Sequence, residues 1–495
     1  MEPQFEQPET LVGRLPAALL LVLLSVSALL FVHQGWSVIL FPYPVDYGEG
    51  PLLDQAARLA RGEGLYDADL TSAPFTVANY PPLYPLTQAP LVKLFGPAFW
   101  YGRLFSWLSA VAAALCITSI VRTLTRAWPP AVIGGLTFLA LPFVSFWAPL
   151  FRVDLPGLAL SLAGLLVVLR GSERRGALLA AALLLTAAIY TRQTYALAAP
   201  ITAFVWLALH SRRRAFGFAA TLFALTAAVY LTLDLLTGGG FSFHVVSANV
   251  NTFSSARLLR LASEAGLMLP LFLAAGVLYL IVGSRTRDGL WRFCAPYLVA
   301  SLIAATTIGK SGSNVNYWLE SCAALSIAVA GLVSRSPRRA TYRVAVLLLL
   351  AVQVSLLLGG NRYSRHLRWK LDQGARMAAL AAVVQRADGP VLADEELGLL
   401  PLAGRRVELQ PFELSALARR GIWDEAPLLS ALDRREFELI LMYRVPSPLH
   451  RTRWTAAMLE RIEREYERVG AIGPTVLYRP RRAADVVPAG LEPGS

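Results

Sequence analysis

Cysteine is almost missing from this chain: three of 495 residues, Cys116, Cys294 and Cys322, each inside an apolar run. There is no CxxC pair and no metal-ligand spacing, so a disulfide framework and a cysteine-held metal are excluded, and the thiols read as small buried residues. Charge is scarce as well. Asp, Glu, Lys and Arg make up 16% of the chain, against about 25% in a soluble domain. What replaces them is apolar: 55% of residues are hydrophobic and the mean hydropathy is +0.50. Runs of about 18 or more apolar residues recur, and each reads as a membrane-spanning helix. The first, about Leu15 to Val32, is too long for a signal-peptide core, lacks a small-x-small cleavage site and is expected to be retained. The net charge of +13 does not indicate nucleic acid, because the basic residues sit mostly in short loops beside the spans.

About eleven spans are expected, near 15–35, 100–121, 130–148, 153–170, 176–191, 193–209, 215–236, 265–283, 292–308, 317–334 and 343–360. With a cytoplasmic N-terminus, alternate loops carry Arg122 and Arg126; Arg170, Arg174 and Arg175; Arg212, Arg213 and Arg214; Arg285 and Arg287; and Arg335, Arg338 and Arg339. All fall inside, as the positive-inside rule requires. The opposite loops hold the acids Asp46, Glu49, Asp54, Glu63, Asp67, Asp69 and Asp154. An odd number of spans puts the C-terminal region outside.

From about Asn361 the composition becomes that of a soluble domain. Strands are expected at 389–394, 437–443 and 475–478, with amphipathic helices near 412–433 and 451–467. The fold class is therefore an α-helical multi-pass membrane protein with a small α/β extracytoplasmic domain: 1–360 in the membrane with a long first outer loop at about 41–99, 361–480 outside, and a flexible tail at 481–495. Asp394-Glu395-Glu396 reads as a helix N-terminus.

The first outer loop opens with Tyr43-Pro-Val-Asp-Tyr-Gly-Glu-Gly50. Loops this long are usually functional or disordered. Asp46 and Glu49 could cap a helix beginning at Glu49, or could do chemistry. Other polar residues map to the outer ends of spans: Arg152 and Asp154; Arg192; His244, Asn249 and Asn251; Lys310, Asn314, Asn316 and Tyr317. Each has a plain reading. Arg152 and Asp154 could pair locally, Arg192 could snorkel to headgroups, His244 could pack at the interface, and Asn314 and Asn316 form turns. Together they put acids, cations and aromatics on one face. A carboxylate base beside cations able to hold a phosphate is what transfer from a lipid phosphate requires.

The acidic first loop, the Arg152-Val-Asp154 loop and the Pro81-Pro-Leu-Tyr84 motif resemble the GT-C glycosyltransferases. The nearest resemblance is to dolichyl-phosphate-mannose protein mannosyltransferase-like and aminoarabinose-transferase-like bacterial enzymes, over about residues 10–360. It implies transfer, with inversion, from a polyprenyl-phosphate sugar to a glycan, lipid or protein acceptor outside a bacterial inner membrane. It also implies that Asp46 or Glu49 is the base, with Asp154 as a second acidic-loop residue. Where relatives often carry His-Lys-Pro-Pro-Leu, this chain has Asn79-Tyr-Pro-Pro-Leu83, with Tyr80 in place of lysine. The phosphate contact then moves to Arg192, Lys310, His244 or Arg152, and Tyr80, Tyr84, Asn314, Asn316 and Tyr317 are expected to meet substrate. The proline run equally reads as a stiff brace along the membrane surface.

No cofactor is required, although Asp46, Glu49 and Asp154 could bind a divalent cation through oxygen. A transporter or lipid-linked-glycan flippase is the alternative, but transporters place their sites at mid-membrane between repeated halves, and no repeat is visible. An assembly protein would leave the acidic loop unexplained.

Overall fold

The computed structural model describes residues 11–249, 251–335, 340–445 and 452–481. The expected tail and inner-loop residues Arg338 and Arg339 lie outside them. Helix α1 (Leu11–Leu40) leads into the first loop, which is not irregular throughout but carries α2 (Glu49–Ala60) and α3 (Leu83–Phe95). Then follow α4 (Trp100–Thr125), α5 (Trp128–Ala140), α6 (Pro142–Trp147), α7 (Asp154–Gly171), α8 (Arg175–Thr191), α9 (Ala198–Ala208) and α10 (Arg212–Leu236). After a single turn α11 (Gly240–Ser242) come α12 (Ser255–Met268), α13 (Pro270–Thr286), α14 (Gly289–Ala305), α15 (Leu319–Arg335) and α16 (Ala340–Leu358).

Among the described residues, seven helices are long and apolar enough to cross a membrane, or eight if α12 and α13, bent by 93°, count as one span. Three further expected spans are shorter apolar helices, at Trp128–Ala140, Arg175–Thr191 and Gln193–Ala208. Length therefore does not by itself establish eleven crossings. Two expectations need correction, and proline explains both. The span at 130–148 breaks at Pro142, which begins α6 at its first position, where a missing N–H costs nothing. The span at 265–283 includes only the end of α12, because Pro270 starts α13 in a new direction.

The C-terminal part starts with α17 (Arg362–Asp372) and α18 (Gly374–Arg386), then β1 (Val391–Ala393), the turn α19 (Leu399–Leu402), α20 (Pro411–Ala418), α21 (Ala426–Asp433), β2 (Leu439–Tyr443), α22 (Ala456–Glu465), β3 (Tyr466–Ile472) and β4 (Thr475–Pro480). The sheet order is β1-β2-β4-β3, with β1 and β2 parallel and the other pairs antiparallel. The expected helix at 412–433 is two helices parted at Gly421, whose φ of 66° suits glycine. The fourth strand, β3, takes the end of the expected helix at 451–467 and pairs with β4 as a hairpin. Asp394 begins no helix; its carboxylate accepts from Tyr443 N (2.9 Å) and Trp454 Nε1 (3.1 Å), tying β1 to its neighbours.

The first loop packs into this C-terminal part. Phe75 bridges to Leu409 in parallel register, Gln410 accepts Val77 N (2.9 Å), and Trp423 Nε1 donates to the Leu70 carbonyl (2.9 Å). Leu70, Phe75 and Val77 share one apolar cluster with Leu392, Ile440 and Met458.

Candidate active site

The Asp46-Tyr-Gly-Glu49 segment is a tight turn, closed by Glu49 N to Asp46 O (3.1 Å), that ends where α2 starts. Its two acids part company there. Glu49 is fully buried and makes a two-pronged pair with Arg103, Nε to Oε1 and Nη2 to Oε2, both 2.8 Å. The same carboxylate accepts the amides of Val45 (2.7 Å) and Phe151 (2.8 Å). Arg103 spends its other N–H groups on the carbonyls of Val38, Phe41 and Tyr43. Burial alone would raise the Glu49 pKa, but Arg103 and the two amides outweigh it and hold the carboxyl below its usual value. Glu49 thus clamps the end of α1, the first loop, α4 and the 151 loop together.

Asp46 has 23% of its side chain exposed. One oxygen takes the Gly48 amide (2.9 Å) and faces Arg152 Nη1 at 3.4 Å. Gly48 is needed for space rather than for φ: a Cβ there would lie 1.4 Å from Arg152 Nη1. Burial pushes the Asp46 pKa up, partly opposed by Arg152 and assisted by the nearby Glu49 charge.

Arg152 links this rim to a buried centre. Its Nη2 donates to Tyr80 OH (3.2 Å), its guanidinium lies over the Trp147 ring (5.1 Å), and its Nε is 3.7 Å from Asp154. Asp154, fully buried at the start of α7, also accepts from Trp147 Nε1 (2.6 Å) and Asn316 Nδ2 (2.9 Å) and pairs closely with Arg192. Arg192 stacks over Tyr317 at 4.7 Å. Glu320, one helical turn past Asn316, is 6% exposed and faces the Arg192 charge. In this region Arg152 Nε, Arg192 Nε, Asn316 Oδ1 and Glu320 Oε1 are buried without a hydrogen-bond partner. Such atoms normally require a water or ligand.

Asp46, Arg152, Asp154, Arg192, Tyr80, Asn316 and Tyr317 therefore form one connected group. The other expected residues behave differently. Tyr84 is buried in the core, donating to the Gly102 carbonyl (3.2 Å) against Phe151, and does not join this group. His244 is also buried: Nδ1 accepts Ala78 N (3.0 Å), so Nε2 carries the proton and donates to the Asp67 carbonyl (2.6 Å). With both nitrogens used and its pKa lowered by burial, it braces the loop and has no donor left for a phosphate. Asn314 is exposed and caps the following turn through Val315 N (2.8 Å). Lys310 is half-buried on the loop that supplies Asn316, and its ammonium has no partner among the described residues. The three expected metal-binding carboxylates each face an arginine, and among the described residues no group of three His, Cys, Asp or Glu could hold a metal.

Three residues of the arrangement escaped the sequence reading. Arg103 and Glu320 lie at the starts of the apolar helices α4 and α15, where a charge is itself a signal. Trp147 gave no signal.

The family model described as dolichyl-phosphate-mannose-protein mannosyltransferase matches residues 79–235, a stretch that includes Tyr80, Arg152, Asp154 and Arg192 but not Asp46. No curated protein matches by sequence. Among solved structures, ArnT from Cupriavidus metallidurans bound to undecaprenyl phosphate is similar with a TM-score of 0.65 at 14% identity, over 92% of this chain and 97% of that one. Its apo state gives 0.64 at 15%, with the same coverage. The archaeal oligosaccharyltransferase AglB from Archaeoglobus fulgidus, in complex with an inhibitory peptide and a dolichol-phosphate, gives 0.57 at 12%, over 95% of this chain and 75% of that one. At these identities the likenesses carry the fold, which is the GT-C fold. Together with the family match they support the resemblance to GT-C membrane glycosyltransferases.

Proposed function

We propose that this protein transfers a sugar, with inversion, from a polyprenyl-phosphate donor to an acceptor hydroxyl on the extracytoplasmic side of a bacterial inner membrane. The observation that carries the proposal is the placement of Asp46: a mostly buried carboxylate with an open edge at the rim, joined through Arg152 to a buried centre with unsatisfied polar edges. Asp46 takes the proton as the acceptor oxygen bonds to the anomeric carbon. The anomeric C–O bond breaks, and its electron pair leaves with the lipid phosphate. Arg152, Arg192 and Lys310 offset the charge of that leaving group. Asp154, itself held by Asn316, keeps Arg192 in position, while Tyr80 and Tyr317 border the sugar. The positive-inside pattern supports the sidedness.

The test is reconstitution with radiolabelled polyprenyl-phosphate sugars and a membrane extract as acceptor. Label should move from the lipid to a product in wild type and stay on the lipid in Asp46→Asn. A cysteine in the 370–480 region should react with an impermeant thiol reagent on intact spheroplasts. No transfer from any such donor would refute the activity, and protection of that cysteine until lysis would refute the sidedness.

A further inference from the structure

A cavity of about 240 Å³ lies between α1, the α5–α6 corner, the end of α16 and α17, on the opposite side of α6 from Asp154. Ser27, Gln34 and Ser37 line it from α1, one stripe at helical spacing. Asn361, Ser364 and Arg368 face them from α17, again on one stripe. No carboxylate lines it. Gln34 and Ser37 are satisfied by the carbonyls of Ser145 and His33. The His33 ring and the Arg368 guanidinium, both exposed, have no protein partner among the described residues. His33 stands roughly 10 Å along α1 short of Leu40, on a helix that otherwise presents Leu29, Leu30, Val32 and Trp36 outward. An ionisable side chain at that depth of a span is costly unless a polar group meets it.

Helix α17 supplies the second observation. Arg362, Arg365, Arg368 and Lys370 stand on it with one acid, Asp372; Arg362 pairs with Glu264 (2.6 Å) and Lys370 with Glu395 (3.4 Å), which leaves Arg365 and Arg368 as its unpaired cations among the described residues. Tyr363 and Leu367 form its buried side, with Tyr363 packed on Phe143 and Phe146. A basic amphipathic helix joined to a span is the pattern that rests in the headgroup layer of an anionic membrane. We propose that this cavity is a binding site for one anionic phospholipid of the surrounding leaflet, separate from the transfer site. Its phosphate pairs with Arg368 and accepts a hydrogen bond from a His33 ring N–H, and its acyl chains lie along Leu30, Leu357 and Leu371. Bound there, the lipid fastens α1 to α17, the helix that links the bundle to the C-terminal part, and it backs the α6 turn that carries Trp147.

The readout is lipid retention, which is independent of sugar transfer. Full-length protein in nanodiscs containing both phosphatidylglycerol and phosphatidylcholine is released into detergent and weighed by native mass spectrometry. Wild type should retain a single phosphatidylglycerol with a roughly tenfold preference: both lipids offer a phosphate to Arg368, but the choline of phosphatidylcholine brings a second cation beside that guanidinium, where like charges repel. Arg368→Ala with His33→Leu should retain neither lipid selectively. Should that double variant fail to fold, the wild-type preference decides alone. Equal retention of both lipids, an adduct with the mass of polyprenyl phosphate instead of phospholipid, or unchanged selectivity in a folded double variant would each overturn the proposal.

Discussion

Asp46 and Glu49 belong to the same turn, carry the same charge and differ by one methylene, yet they occupy opposite kinds of place. Glu49 is sealed from solvent, with its two oxygens shared among Arg103 and backbone amides, and its pKa is lowered. Asp46 keeps part of its carboxylate open, has one cation at 3.4 Å, and its pKa is raised. A group held ionised by partners on every side makes a good fastener and a poor base, since its proton affinity has been spent on structure. A partly desolvated carboxylate with a single opposing charge is better matched to accepting a proton near neutrality. Location relative to Arg103 and Arg152, rather than residue type, separates the roles.

Breaking the fastener should have the largest effect. Arg103→Met leaves Glu49 buried and unpaired, a loss of about 3–5 kcal/mol for such pairs, and the variant should be recovered poorly and melt early. An unchanged melting temperature would dissolve the contrast. Next is Arg192→Ala, which exposes Asp154 to the same kind of loss and removes one of the cations proposed to meet the phosphate. Donor binding, followed by filter assay with labelled lipid, should weaken roughly tenfold or more.

Arg152→Gln sharpens the contrast through pH. As the proposed base, Asp46 must be deprotonated, so the rate should fall as pH drops through its pKa. Arg152 opposes the rise in that pKa; without the cation the pKa climbs, and the acidic limb of the kcat/KM profile should move to higher pH. Gly48→Ala should shift the limb the same way, because a Cβ there displaces the end of the Arg152 side chain and crowds Asp46 Oδ2 at 3.1 Å. The smallest effect on catalysis belongs to Tyr47→Phe. It removes the 2.6 Å bond to the Glu413 carboxyl between loop and C-terminal part, costing about 1.5–3 kcal/mol of stability with little change in turnover.

Much of this was legible in the sequence. Hydropathy located the helices because a span's length and polarity are set by the bilayer. The grouping of Asp46, Arg152, Asp154, Arg192, Asn316 and Tyr317 was visible because each polar residue ends an apolar run. Partnering was not legible. Nothing in Asn79-Tyr-Pro-Pro-Leu83 shows that Tyr84 turns into the core or that Ala78 engages His244, since both depend on contacts more than 15 residues away. The bends at Pro142 and Pro270 were written in the sequence, but apolar continuity masked them.

The central claim is tested most directly by making Asp46→Asn and Glu49→Gln side by side and measuring melting temperature and sugar transfer on the same preparations. Asp46→Asn should melt like wild type and lose transfer by about 10²–10⁴-fold. Glu49→Gln should instead melt early, with activity falling in step with the folded fraction. Near-normal transfer by Asp46→Asn, or a Glu49→Gln protein of full stability and no turnover, would contradict the assignment of the base to Asp46.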